Sequence, residues 1–201
     1  MNKSLQLVIV GVGGQGILTV SDILGTAAIE EGLNAVMSEV HGMAQRGGVV
    51  TTEMKIGNFS SPLVADGEAD IILGFEPAEA YRILTKASKK TRVVTNVEPL
   101  IPTSVSIGQA KYPDVQQLLQ NMKDSGLSVV GVNAVELASK AGSAMAGNVV
   151  MLGAMSALDN FILSRESMEK ALKKRISPKL LDVNLKAFEL GYESARKKGD
   201  S

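Results

Sequence analysis

Two glycine-rich segments hold the residues of this chain with the clearest potential for chemistry. The first runs from Gly11 to Gly16 after an apolar stretch, and the second runs from Glu39 to Gly48 and contains His41 and Arg46. Glycine turns bring backbone N–H groups close to an anion, and a helix that begins at such a turn adds a favourable dipole. Arginine presents a planar fork that binds phosphate or carboxylate. Both segments therefore suggest anion recognition.

The first segment fits the G-x-G-x-x-G pattern of dinucleotide-binding turns through Gly11, Gly13 and Gly16. The same glycines would also serve a tight turn and close helix–sheet packing without a ligand, so both interpretations stay open. In NAD sites an acidic residue about 20 positions further on binds the ribose, and here it would be Glu39. Because Glu39 opens a glycine-rich loop instead of ending a strand, the NAD interpretation has weak support.

Four other residues are candidates with an ordinary structural alternative. Gln15 adds an amide that can donate and accept hydrogen bonds. His41 is the only histidine, a residue type that can act as acid or base near neutral pH but that often lies on a surface. Arg46 precedes Gly47 and Gly48. It could bind an anion, or it could be a surface arginine in a flexible loop, and the sequence favours neither role. Asn148 precedes a strongly apolar helix and is first interpreted as its N-cap.

Composition excludes several classes of site. Lys and Arg number 21, as do Asp and Glu, so no net field attracts nucleic acid or anionic lipid. The chain has no cysteine and one histidine, which removes disulfides, thiolate metal ligands and an iron–sulfur cluster bound by this chain. No nucleophile elbow, Walker lysine or carboxylate pair is evident, so we expect no catalytic residue and no metal site.

The length and the apolar pattern predict one domain over 1–201 and a cytoplasmic location. A single core serves chains of this size. Neither a cationic leader nor an apolar run of about 18 residues occurs, so export and membrane insertion are not indicated.

The order of elements predicts an α/β, Rossmann-like three-layer fold with a mostly parallel sheet. Short apolar runs indicate strands, and amphipathic stretches indicate helices. Strands are predicted over 5–10, 35–37, 49–57, 69–75, 91–96 and 127–132, and helices over 17–31, 78–87, 114–123 and 134–141. From about residue 143 only helices are predicted, over 148–161 and from 164 and 178 onward. Both glycine-rich segments follow strands, so we expect them on one rim at the carboxyl edge of the sheet.

Three separated motifs together resemble one family. Gly13-Gly14-Gln15-Gly16, Arg46-Gly47-Gly48 and the segment from Asn148 to Ala154 occur in the order found in the gamma-type subunit or domain of 2-oxoacid:ferredoxin oxidoreductases. The similarity extends over most of residues 5–190. Within the family, segments 38–48 and 75–80 are most similar to members that act on aryl pyruvates.

The resemblance implies an enzyme built around a larger alpha subunit that carries thiamine diphosphate, magnesium and 4Fe–4S clusters. Such an enzyme decarboxylates the 2-oxoacid, passes electrons to ferredoxin and releases an acyl-CoA. This chain would complete the active-site wall and help to hold coenzyme A. The implied rim consists of Gly13, Gly14, Gln15, Gly16, Arg46, Gly47 and Gly48, with His41 and Asn148.

Several alternatives remain open at this point. The 2-oxoacid could be an aryl pyruvate, pyruvate, 2-oxoglutarate or 2-oxoisovalerate. The chain could instead be a free-standing NAD(P)-binding module, or a structural protein whose rim contacts only its partner. An alpha–beta pair doubled by symmetry is the default assembly.

Overall fold

A six-stranded sheet organises the structure, a computed structural model that describes residues 3–42 and 48–199. The strands are β1 (Leu5–Val12), β2 (Ala35–His41), β3 (Val49–Ile56), β4 (Ala69–Gly74), β5 (Ala87–Asn96) and β6 (Ser128–Val132). Their order is β2-β3-β1-β4-β5-β6. All are parallel except β3, which is antiparallel to β1 and β2. The predicted, mostly parallel sheet is confirmed, although the direction of β3 was not anticipated.

Helices cover the sheet and form the C-terminal part of the chain. They are α1 (Ile17–Glu30), α2 (Pro77–Arg82), α3 (Thr103–Ser106), α4 (Val115–Asp124), α5 (Ala134–Ala141), α6 (Gly147–Ser156), α7 (Arg165–Arg175) and α8 (Pro178–Gly199). Beyond β6 the described chain contains helices and no strand, as predicted. No helix in the described ranges is long and apolar enough to span a membrane.

Two hydrophobic cores, one on each face of the sheet, make the fold three-layered. Leu5, Leu7 and Ile9 of β1 pack in the core that contains α1, α6 and much of α8. Val8 and Val10, which alternate with them, pack in a smaller core under α2 and α4. Because successive strand side chains point to opposite faces, an apolar run without alternation indicates a strand covered on both sides.

Three predicted boundaries were wrong because strand pairing and packing outweigh local propensity. Glu39 and His41 were assigned to a loop but extend β2, where they pair with β3 opposite Thr52 and Val50. The helix expected over 78–87 ends at Arg82, since the chain from Ala87 onward is used as β5. The helix expected over 148–161 ends at Ser156.

The small residues of α6 serve core packing. Every residue from Val149 to Met155 is buried. An added Cβ at Gly153 would lie 2.0 Å from the carbonyl oxygen of Phe188, and one at Gly191 would lie 2.0 Å from that of Val150. Helices α6 and α8 therefore cross with their backbones in contact, which fixes α6 and its first turn against the sheet.

Glu31 joins the end of α1 to the start of α7. Its largely buried carboxylate accepts hydrogen bonds from Ser164 N at 2.5 Å, Ser167 Oγ at 2.8 Å and Lys3 Nζ at 2.9 Å. Burial alone would raise the pKa of Glu31, but these donors outweigh it and lower the pKa from 4.5 to about 2. Glu31 is therefore stabilising in its charged form.

We expect Glu31 to make folding stability depend on pH. A carboxyl group whose pKa is lower in the folded state stabilises fully above its unfolded value of 4.5 and loses this contribution as the pH falls towards 2. The free energy of unfolding of both proteins should fall between pH 6 and pH 2.5. The fall should be about 2–3 kcal/mol larger for the wild type than for Glu31→Gln. Urea titrations at several pH values measure it. Glu68→Gln, at an exposed position, should retain the wild-type profile, and an unchanged profile in Glu31→Gln would refute the assignment.

Candidate functional site

The candidate site lies where the carboxyl ends of β1 and β4 meet. After β1 the chain turns onto one face of the sheet as α1, whereas after β4 it turns onto the other face as α2. In α/β sheets the crevice at such a reversal is the usual ligand site. Gly13 N donates a hydrogen bond to the carbonyl oxygen of Gly48 at 2.9 Å, so the first glycine-rich segment contacts the last residue of the second.

Gln15 spans this crevice with its amide. Its Oε1 accepts a hydrogen bond from Val12 N at 2.7 Å, and its Nε2 donates to the carbonyl oxygen of Phe75 at 3.1 Å. An added Cβ at Gly11 would lie 2.5 Å from Gln15 Oε1, so the glycine leaves room for this clamp. The amide that was predicted to face a ligand is thus engaged in tying the end of β1 to the end of β4.

Gly14 and Gly16 give the loop its shape and leave the start of α1 open. Both have positive φ angles, 96° and 77°, which other residue types adopt at a cost. Gly16 is the N-cap of α1, no side chain caps this helix, and its first turn contains no acidic residue. The first-turn N–H groups and the positive end of the helix dipole are therefore uncompensated within the described chain, a setting that favours an anion.

Asn148 brings the third motif onto the same rim. It is the second residue of α6, whose N-cap is Ala146, so the N-cap prediction for Asn148 was wrong. Gly16 lies directly against the Asn148 side chain, because a Cβ added at Gly16 would lie only 2.5 Å from Asn148 Nδ2. Asn148 Oδ1 accepts from Val149 N at 2.9 Å, while its Nδ2 has no hydrogen-bond partner among the described residues. That amino group remains available as a donor beside the glycine loop.

A cleft of about 220 Å³ opens above these residues. It is lined by Gly14, Gln15, Phe75, Asn96, Ala134, Val135, Ala144, Met145, Gly147, Asn148 and Met151. None of these side chains is charged. Asn96, which sequence reasoning missed, is engaged like Gln15, because its Oδ1 accepts from Ala134 N at 3.2 Å and its Nδ2 donates to the carbonyl oxygen of Glu98 at 2.9 Å. Of the three amides in the cleft, only Asn148 has an amino group that makes no hydrogen bond to the described residues, whereas Gln15 Nε2 makes one and Asn96 Nδ2 makes two.

A buried acidic cluster beside the cleft fixes the neighbouring connection. Glu76 caps α2 by accepting from Glu79 N at 3.0 Å and also accepts a hydrogen bond from the Tyr112 hydroxyl. Burial and the bond to Glu76 raise the pKa of Tyr112, and burial raises that of Glu79 although Arg82 opposes the shift. The chain between β5 and α4 is thereby held against the end of β4. Pro77, at the first helical position, was the signal for this cap in the sequence.

Glu39 and His41 lie further along the rim, at the end of β2. His41 is 60% exposed, and its Nε2 contacts the Glu39 carboxylate. Because β3 lies between β1 and β2, the end of β2 is about 10 Å from that of β1 at the usual strand spacing. Glu39 is thus not next to the glycine turn, as a ribose-binding acid should be. Arg46 and Gly47 lie outside the described residues.

Comparisons with known proteins show the family of this chain. The pyruvate ferredoxin/flavodoxin oxidoreductase family matches residues 6–194. Indolepyruvate oxidoreductase subunit IorB of Archaeoglobus fulgidus is 43% identical over 191 residues, 95% of each chain. Ketoisovalerate oxidoreductase subunit VorA of Methanothermobacter thermautotrophicus is 30% identical over 94% of this chain but only 36% of its own. Among solved structures, the gamma subunit of keto/oxoacid ferredoxin oxidoreductase from Geobacter sulfurreducens has a TM-score of 0.69 and 25% identity, covering 95% of this chain and 98% of that chain.

We expect the Gln15 clamp to contribute measurably to stability. Gln15→Ala leaves Val12 N without its side-chain partner and the Phe75 carbonyl with only the longer bond from Asn96 Nδ2, at 3.4 Å, which should lower the free energy of unfolding by about 1–3 kcal/mol. Urea denaturation at pH 7 measures the loss. Gln116→Ala, on the exposed face of α4, is the matched control and should change stability by less than about 0.5 kcal/mol. Equal effects of the two substitutions would mean that Gln15 is not a clamp.

Proposed function

This chain belongs to the pyruvate ferredoxin/flavodoxin oxidoreductase family, as a small subunit of a 2-oxoacid:ferredoxin oxidoreductase, and we propose that its enzyme oxidises indolepyruvate. The substrate assignment depends on the 43% identity, over nearly the whole of both chains, to an indolepyruvate oxidoreductase subunit. The relative that acts on ketoisovalerate is 30% identical. The uncharged, partly apolar cleft is compatible with an enzyme for an aromatic 2-oxoacid, although the larger partner would hold the reacting carbon.

The cofactors of such an enzyme do not fit the residues of this chain. Iron–sulfur clusters need cysteine thiolates, and the chain has no cysteine. Within residues 3–42 and 48–199 there is no group of three or more His, Cys, Asp or Glu that could hold a metal ion. We therefore assign thiamine diphosphate, magnesium and the 4Fe–4S clusters to a larger partner subunit in the cytoplasm, and assign no catalytic residue to this chain.

The role proposed for this chain is to present a rim that binds coenzyme A. Three features support it: the uncapped start of α1, the positive φ angles of Gly14 and Gly16 just before that helix, and the Asn148 amino group, which makes no hydrogen bond to the described residues. Phosphate groups bind well at helix N-termini and to arginine, which suits Gly14, Gly16 and Arg46. Because no charged side chain lines the cleft, its interior suits the uncharged arm of the cosubstrate, with the phosphates at its mouth.

Reconstitution tests the proposed enzyme. The large subunit encoded with this chain, once purified together with it, should couple indolepyruvate and coenzyme A to ferredoxin reduction, with kcat/KM at least about tenfold above that for pyruvate, 2-oxoglutarate or 2-oxoisovalerate, a preference of 1.4 kcal/mol. The isolated chain should show no turnover. A preference for another 2-oxoacid would refute the substrate assignment, and turnover by the isolated chain would refute the accessory role.

Substitutions on the rim test the coenzyme A role in the assembled enzyme. Asn148→Ala and Arg46→Ala should each raise the KM for coenzyme A about tenfold, the effect of losing one hydrogen bond to a charged group, and leave the KM for indolepyruvate within about twofold. Asn58→Ala and Arg196→Ala, at exposed positions away from the rim, are the matched controls. If both rim variants assemble normally and keep the wild-type KM for coenzyme A, the rim contacts only protein.

A further inference from the structure

Two exposed apolar side chains stand at the mouth of the cleft. Met145 is 90% exposed, and Val135 is 41% exposed. Both line the cleft together with Ala134 and Ala144. Leu100 and Ile101, also exposed, follow β5 at the same edge of the sheet. Single exposed apolar residues are common, but an apolar group beside a functional cleft is typical of an interaction surface.

The turn that carries Met145 is firmly held. Met145 lies in a single 3-10 turn, Ala144–Ala146, between α5 and α6. Ser143 N donates to the Ala138 carbonyl at 3.0 Å, and Ser143 Oγ accepts from Met145 N at 3.3 Å. Ala146 is buried, and α6 begins immediately afterwards in the main core. The exposed methionine therefore projects from a rigid support, which limits the entropy lost when a partner covers it.

We propose that Met145 and Val135 form the docking surface for the larger chain of the enzyme, which closes the cleft across the subunit interface. This inference rests on the proposed function, because it takes the larger chain as the occupant. The surface is called the Met145 patch below. Because no charged side chain lines the cleft, the complementary surface of the partner should be apolar at this point, with methionine adapting to its shape.

The relatives indicate why a larger chain, and not a second copy, should cover the Met145 patch. In the ketoisovalerate enzyme the matching segment makes up 36% of a longer subunit, so there the same unit is covalently attached to further protein. In the A. fulgidus relative the matching segment makes up 95% of the subunit. Where the unit is a separate subunit, its interface alone holds it to the rest of the enzyme, and buried apolar anchors near the centre of an interface carry most of the binding energy.

A binding experiment with matched variants tests the docking surface. The tagged large subunit is immobilised, and its affinity for this chain is measured for the wild type, Met145→Glu, Val135→Glu, Met145→Leu and Ile29→Glu. Ile29 is 70% exposed but lies in the last turn of α1, about 18 Å along the helix from its start at the rim. Each glutamate at the Met145 patch should weaken binding at least about 30-fold, as for an interface hot spot. Met145→Leu and Ile29→Glu should stay within about threefold of the wild type.

Each other outcome has a defined meaning. Normal binding by both patch variants, with the wild type bound and active, overturns the docking surface and leaves the proposed function intact. Failure of the wild type to bind the large subunit refutes the proposed function itself. If the isolated chain forms a dimer that Met145→Glu converts to a monomer while binding to the large subunit is unchanged, a second copy covers the patch and the inference is wrong. Circular dichroism of each variant verifies that its helical content is retained.

Discussion

The amide of Gln15, which bridges the ends of β1 and β4, is the contact on which the rim depends. Parallel strands on either side of a topological reversal continue into helices on opposite faces of the sheet. At this point a backbone hydrogen bond from Phe75 N to the carbonyl oxygen of Val10, at 2.8 Å, joins β4 to β1. Gln15 adds a side-chain link beyond that bond, through Val12 N and the Phe75 carbonyl. With the loop fixed, Gly16 lies against the Asn148 side chain. Helix α1 then begins without a capping side chain. Two of the family motifs thereby meet at one point.

The two ends of the chain cooperate to hold this arrangement. Helix α6 crosses α8 with Gly153 against the backbone of Phe188. This contact fixes the position of α6, whose first turn lies beside the glycine loop. Glu31 ties the far end of α1 to α7. A helical C-terminal part therefore acts as the support of an N-terminal glycine turn. These helices pack on the same face of the sheet as α1, in one hydrophobic core with it.

The alternation of elements, the rim and the turn at Gly16 could be predicted from the sequence because glycine, proline and apolar runs report local backbone requirements. Three things could not. The antiparallel β3, and with it the strand assignment of Glu39 and His41, depends on pairing between distant segments. The role of Asn148 depends on a contact with Gly16, 132 positions earlier, and the engagement of Gln15 and Asn96 depends on carbonyl groups that no local pattern identifies. The family resemblance named Gln15 and Asn148 from the sequence alone, but which of their polar atoms are engaged within the chain came from geometry.

In the proposed function, coenzyme A binds this chain at the rim between α1 and α6. Hydrogen–deuterium exchange on the assembled enzyme, with and without coenzyme A, detects such binding. We expect slower exchange in peptides covering residues 13–20 and 145–151 when coenzyme A is added, with no change over β3 or α8. Unchanged exchange in both rim peptides at saturating coenzyme A, while peptides of the large subunit become protected, would contradict it.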